Sequence, residues 1–249
     1  VFELPLSITT TSSGPYDDSI GPGYFLRYRY RGIDPQHRDN VGLRQAMEKR
    51  VPLVYFFSSL PGSYIATWPV YIIDDNVRQL TFTVAVDDVQ FLDRARDSGI
   101  SRDVTYDQAT LDRRAYITSK FQQRLHQRYF HDIVLDAYRY RCACCQLRHY
   151  ELLDAAHIIA DKQPEGLPIV NNGLALCKLH HAAFDSNMIG ISPDYDIHVR
   201  QDVLTEEDGP MLIHGLQKLE GGSIMLPRKK QAYPDKTLLD KRYQMFKNA

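Results

Sequence analysis

The sequence predicts an α+β protein in three parts. A β-rich domain covers residues 1–92, a linker and basic amphipathic helix cover 93–139, and a second domain covers 140–249. Three observations predict this arrangement. Residues 21–86 carry runs with the two-residue alternation of strands. Residues 111–139 carry the period of a helix. All four cysteines (Cys142, Cys144, Cys145 and Cys177) fall together, immediately after that helix.

Composition bounds the rest. A chain of 249 residues is long enough for one large or two ordinary domains. Its hydrophobic share of 43% and charged share of 24% are those of a globular protein. The net charge of −1 carries no global signature of a polyanion partner, so any nucleic-acid contact must come from local patches. No apolar run approaches the roughly 20 residues that span a bilayer. The opening VFELPLSITTTSSGPYDD lacks the basic segment of a secretory signal. Clustered cysteines in a chain of this length read as metal ligands in a reducing compartment, and a cytoplasmic location is expected.

Taken in order, residues 1–20 are rich in turn formers. In GPGYFLRYRYRG (21–32), Tyr24, Leu26, Tyr28 and Tyr30 share one strand face, and Arg27, Arg29 and Arg31 share the other. Residues 40–49 read as a short helix with Leu43, Ala46 and Met47 inward. VPLVYFFSSL (51–60) and SYIATWPVYIIDD (63–75) are strand-like and are separated by the turn signal Pro61-Gly62. LTFTVAV (80–86) alternates. Together these predict a small barrel or curved sheet with one helix. The polar stretch 93–110 reads as a connector. From 111 to 139, Phe121, Leu125, Tyr129, Ile133, Val134 and Tyr138 fall on one helical face. Arg113, Arg114, Lys120, Arg124 and Arg128 fall on the other. These basic positions, with Arg27 and Arg29, are candidates for DNA contact; a solvated face is the plain alternative. Residues 189–204 predict two short strands about the turn SPDYD. Residues 236–247 predict a final helix.

The stretch 142–185 holds the chemistry. Cys142 and Cys145 form C-x-x-C, and Cys177 and His180 form C-x-x-H. Two such pairs make the ligand set of a closed, tetrahedral, structural zinc site. Cys144 falls between the first pair and points elsewhere. The segment between the pairs is too long for a compact ribbon and must itself fold. It predicts a strand over 151–160, a second over 169–177 and a helix from 179 to 185. Adjacent helical residues project about 100° apart, so His180 and His181 do not readily serve one metal. Either His180 closes the zinc site and leaves His181 free, or Cys177 and His181 bind zinc through C-x-x-x-H spacing. His157 lies mid-strand among apolar neighbours, where a lone histidine is usually a core residue.

Here His157 is joined by Asn172 on the second strand and His181 on the helix. In AHI (156–158), N-x-x-A-L-C (172–177) and C-x-x-H-H (177–181), the stretch resembles the HNH endonucleases of the ββα-metal superfamily. The wider pattern resembles McrA-like restriction endonucleases, which join an N-terminal DNA-reading domain, in some cases PUA/SRA-like, to an HNH domain. The resemblance implies hydrolysis of DNA phosphodiesters with His157 as general base. It implies a catalytic Mg²⁺ or Mn²⁺ held by His181. It also implies a structural Zn²⁺, with His180 in a place more often held by cysteine. Asn172 is expected to orient the loop carrying His157, and Asp185 either to support His181 or to sit as an ordinary surface residue. The residue before the first histidine, often a metal ligand in the family, is Ala156; Asp154, on the same strand face, is the substitute. Double-stranded DNA is the expected partner, and a cut in both strands by one site per chain favours a homodimer. The alternative is a zinc-stabilised DNA-binding module without catalysis. The sequence leaves open the recognition site and any need for a modified base.

Overall fold

The computed structural model describes residues 4–11, 20–21, 25–86 and 108–249. Tyr24, most of the connector expected over 93–110, and much of the irregular N-terminus lie outside them, as do the side chains of Arg113 and Arg114. The chain forms two compact units, Val1–Leu125 and His126–Ala249. The fold class is α+β. Among the described residues no helix is long and apolar enough to cross a membrane.

The first unit is a six-stranded sheet in the order β1-β4-β5-β6-β3-β2. Its strands are β1 (Ser7–Thr11), β2 (Ile20–Gly21), β3 (Phe25–Arg29), β4 (Leu53–Leu60), β5 (Ser63–Asn76) and β6 (Thr81–Val86). β1 runs parallel to β4, and every other pairing is antiparallel. The Tyr28 hydroxyl on β3 donates to the Thr9 carbonyl on β1 at 3.4 Å, so strands well separated in the ladder approach each other. The sheet is therefore curled, as the strand-rich sequence predicts. Pro69 has no N–H for a ladder bond, and the β4–β5 register slips beside it, between Tyr55↔Thr67 and Leu53↔Val70.

Helix α1 (Arg38–Glu48) begins two residues before its expected start, because the His37 ring accepts from the Asp39 amide and caps it. Leu43 and Ala46 are buried, as expected. The aromatic positions of this unit do not share one environment. Tyr30 and Tyr55 are core residues, whereas Tyr64 and Trp68 stand out in solvent. Tyr30 donates to Asp75, whose other oxygen accepts from Arg44 at 2.6 Å. That buried hydroxyl is committed to the fold.

Helix α2 (Gln108–Ala137) crosses the boundary between the units. In the second unit its inward residues are Phe130, Val134 and Leu135, with Tyr138 just beyond its end. They bury against the hairpin of β7 (Leu153–His157) and β8 (Gly173–Cys177). Helix α3 (Lys178–Asp185) follows β8 directly. Strands β9 (Ile189–Ile191) and β10 (Ile197–Val199) pair about the expected turn. The stretch from 201, expected as strand, is instead helix α4 (Gln201–Thr205), in which Val203 alone is buried. A single buried position satisfies a helical turn where a strand would need alternate ones. Helices α5 (Pro210–Gly215) and α6 (Lys236–Lys247) complete the unit. Arg242 of α6 donates to the Phe184 carbonyl and the Asn187 amide oxygen and lies over the Phe184 ring. It thereby adds a second donor to the Phe184 carbonyl, which already accepts from the Asn187 N–H at the C-terminus of α3.

The seam between α2 and the hairpin has no spare room at Gly173. A Cβ there would lie 2.4 Å from Val134 Cγ2 and 3.0 Å from Phe130 Cζ. Both neighbours are buried and cannot yield cheaply. Gly173→Ala is expected to destabilise the second unit by about 1–3 kcal/mol, read as a lower urea midpoint at unchanged slope. An unchanged midpoint would contradict this packing.

Candidate active site and metal centre

Local chemistry builds the metal centre first. The turn Cys142–Leu147 closes on itself, with Cys142 N–H donating to the Leu147 carbonyl and Gln146 N–H to the Cys142 carbonyl. Gln146 takes a left-handed backbone (φ 62°) to make the bend. The Ala143 N–H then donates to the Ala175 carbonyl at 2.7 Å, which lays this turn beside the end of β8. Cys177 ends β8 and His180 sits on the first turn of α3, so both pairs reach one point. The ligand atoms of Cys142, Cys145, Cys177 and His180 lie within 4.8 Å of one another. His180 Nδ1 is 3.3 Å from Cys142 Sγ and 3.2 Å from Cys177 Sγ.

His180, not His181, joins the cysteines. Its Nε2 lies 2.8 Å from the Gly215 carbonyl, which can only accept, so Nε2 carries the proton and Nδ1 offers its lone pair. Hydrogen bonds from Cys144, Cys145 and Cys177 hold the Cys142 thiol below the ordinary thiol range, and the same bonds push Cys144 and Cys145 up. Three sulfurs and an imidazole in a closed arrangement can hold a structural metal such as zinc. Cys144 lies outside the quartet.

A second group lies on the other side of α3's first turn. His181 Nδ1 is 3.4 Å from Asp154 Oδ2, and its Nε2 is 3.4 Å from Asp185 Oδ2. Asp154 also accepts from Lys178 Nζ at 2.9 and 3.1 Å. Burial works against ionising Asp154, but the bonds from Lys178 and His181 outweigh it and keep the carboxyl below its usual range. Ala156 is wholly buried and offers no ligand. Among the described residues, only the Cys/His quartet brings three or more ligand atoms together; Asp154, His181 and Asp185 form a chain.

His157 ends β7 opposite Gly173. Its ring stacks on Phe130 at 3.8 Å between centroids and 16° between planes. Its Nε2 is buried and has no hydrogen-bond partner. Burial lowers its pKa below the ordinary value, with Asp161 and Asp185 opposing and His181 assisting. Phe130 is absent from the sequence-derived candidates, although its i, i+4, i+8 spacing with Val134 and Tyr138 was there to find.

Asn172 sits in a 3-10 turn just before β8, not on the strand where the sequence placed it. Its backbone carbonyl still accepts from the Ile158 N–H at 2.9 Å, just beyond the paired residues of the hairpin. The side chain accepts from Ile159 N–H at 2.9 Å and donates to the carbonyls of Ile159 at 3.0 Å and Leu167 at 3.1 Å. Fully buried, it closes the loop that leaves His157. The basic candidates are scattered. Arg27 is half-buried and Arg29 exposed in the first unit, Lys120 and Arg124 are exposed along α2, and Arg128 belongs to the second unit.

Residues 142–192 match the HNH endonuclease family. Over this span the chain is similar to HNH endonucleases. The matched span opens at the first zinc-ligand candidate, contains His157, Asn172 and His181, and closes just past β9. A solved structure, the modification-dependent TagI restriction endonuclease, is similar over 98% of this chain and 82% of its own, at 13% identity and a TM-score of 0.37. No curated protein matches the chain.

Proposed function

We propose that the chain is a metal-dependent DNA endonuclease of restriction type in which His157 acts as general base. The observation that carries this reading is the buried, unpartnered Nε2 of His157 on a ring fixed against Phe130. A neutral imidazole whose Nε2 has no competing partner is suited to take a proton from an attacking water. Its lowered pKa keeps it in that form at neutral pH. Asn172 keeps the following loop closed and so fixes the direction of the ring. Asp154 and His181, one carboxylate facing one imidazole, would hold a divalent ion in place of the Lys178 ammonium that sits on both Asp154 oxygens. When bound, Mg²⁺ or Mn²⁺ supplies charge stabilisation at the phosphate. The structural zinc belongs to the scaffold of this site. The N-terminal unit is assigned to DNA reading in a PUA/SRA-like manner, with Tyr64 and Trp68 as its exposed rings. A homodimer would deliver the second strand cut.

The test is plasmid cleavage with and without added Mg²⁺ or Mn²⁺. Cleavage is expected only with the ion, and Asp154→Asn is expected to raise the half-saturating concentration about 10-fold or more. Cleavage that is equally fast without added ion would sink the metal-dependent reading. DNA binding without cleavage under any of these ions would leave the non-catalytic zinc module.

A further inference from the structure

Two adjacent asparagines at the start of β8 face different tasks. Asn172 closes the His157 loop. Asn171 holds the segment Leu226–Asp235, far along the chain, to the same point. Its Nδ2 donates to the carbonyls of Gln231 and Tyr233, both at 2.8 Å. Its own carbonyl accepts from Asp235 N–H at 2.9 Å. Asp235 in turn caps α6, its carboxylate accepting from Thr237 N–H at 2.7 Å and Leu238 N–H at 3.1 Å. Pro227 and Pro234 are buried at the two ends of the segment. The result is a short strap fixed at both ends and stitched to residue 171.

Between those anchors stand Arg228, Lys229 and Lys230, all exposed. None has a carboxylate partner among the described residues. Lys178, Arg200, Lys236 and Lys241 do, on Asp154, Asp202, Asp194 and Glu165; what sets the strap apart is that its three cations are consecutive and exposed on one fixed segment. Three successive positive charges on one short anchored turn repel one another. A polyanion relieves that repulsion, and phosphates spaced along a backbone match a run of separate cations better than one small anion does.

We propose that Arg228, Lys229 and Lys230 bind backbone phosphates of the DNA beside the His157 loop, with Asn171 as the positioning residue that holds them there. This rests on the endonuclease reading for the identity of the polyanion. The strap contributes no sequence information; it fixes where the duplex lies against the hairpin end.

The experiment is binding of a duplex by fluorescence anisotropy without divalent ion, repeated over a range of salt. Removing one cation that neutralises a phosphate lowers the slope of log K against log salt by about 0.9. The variant Arg228→Ala/Lys229→Ala/Lys230→Ala is expected to flatten the slope by about two to three, with an unchanged melting temperature because the three side chains are exposed. Asn171→Ala is expected to flatten the slope in the parent but to add nothing in the triple variant, a non-additivity that general loss of fold would not produce. An unchanged slope in the triple variant overturns the proposal. So does an Asn171→Ala effect of equal size in both backgrounds. If the parent cleaves plasmid but the triple variant keeps its slope, this inference fails and the endonuclease reading stands. If the parent binds through the strap but never cleaves, the reverse holds.

Discussion

His180→Ala is expected to cost the second unit its metal and its cooperative fold, whereas His181→Ala keeps both and loses cleavage. The two residues are adjacent on α3, yet their surroundings are opposite. His180 is buried, with Nδ1 on two cysteine sulfurs and Nε2 on a backbone carbonyl. His181 is part-exposed between two carboxylates. A structural zinc site contributes on the order of 10–16 kcal/mol in small zinc domains, more than the whole stability of an ordinary domain. With zinc bound, removing one of the four ligands would leave the buried Cys142 and Cys177 sulfurs without their counter-charge. The measurements are zinc per chain by elemental analysis, urea unfolding of the full chain, and plasmid cleavage. Full zinc and a normal midpoint in His180→Ala would overturn the assignment. So would loss of zinc in His181→Ala.

His157→Ala is expected to slow cleavage by about 10²–10⁴-fold while leaving DNA affinity within a few-fold of the parent. A general base acts only in its neutral form, so under the proposed role the pKa of His157 would set the acid limb of the rate profile. Burial moves that pKa below the ordinary 6.5. The limb should therefore have its midpoint below 6.5, with the rate level through neutral pH. The stability effect has the same origin. Protonation is favoured in the unfolded chain, so the stability from neutral His157 is complete well above the unfolded value. It is lost as pH falls through that value toward the lower folded one. Phe130→Leu offers a separate check, since it removes the ring that His157 stacks on but keeps an apolar side chain. An acid limb at or above 6.5 in the parent would contradict the buried-imidazole account.

Much of this molecule is local chemistry and was legible along the chain. The alternation of 53–60 and 81–86, the turn at Pro61-Gly62, the helix at Lys236–Lys247 and the two Cys/His pairs each follow from residue spacing alone. So does the order strand, strand, helix around His157, Asn172 and His181, because period and ligand spacing are properties of neighbours in sequence. What joined distant parts was not legible. Spacing allowed either His180 or His181 as the fourth ligand; the Gly215 carbonyl, supplied from 35 residues away, selects the tautomer and hence the residue. Asn172 read as a strand position, and the carbonyls of Ile159 and Leu167 drew it into a turn. The stacking of Phe130 on His157 depends on how closely α2 meets the hairpin, which the absent Cβ of Gly173 permits. By itself the sequence determined which side chains could carry the proposed chemistry. Tertiary structure alone decided which way each one faces, because a hydrogen-bond partner or a packing surface arriving from elsewhere in the chain leaves no trace in local spacing.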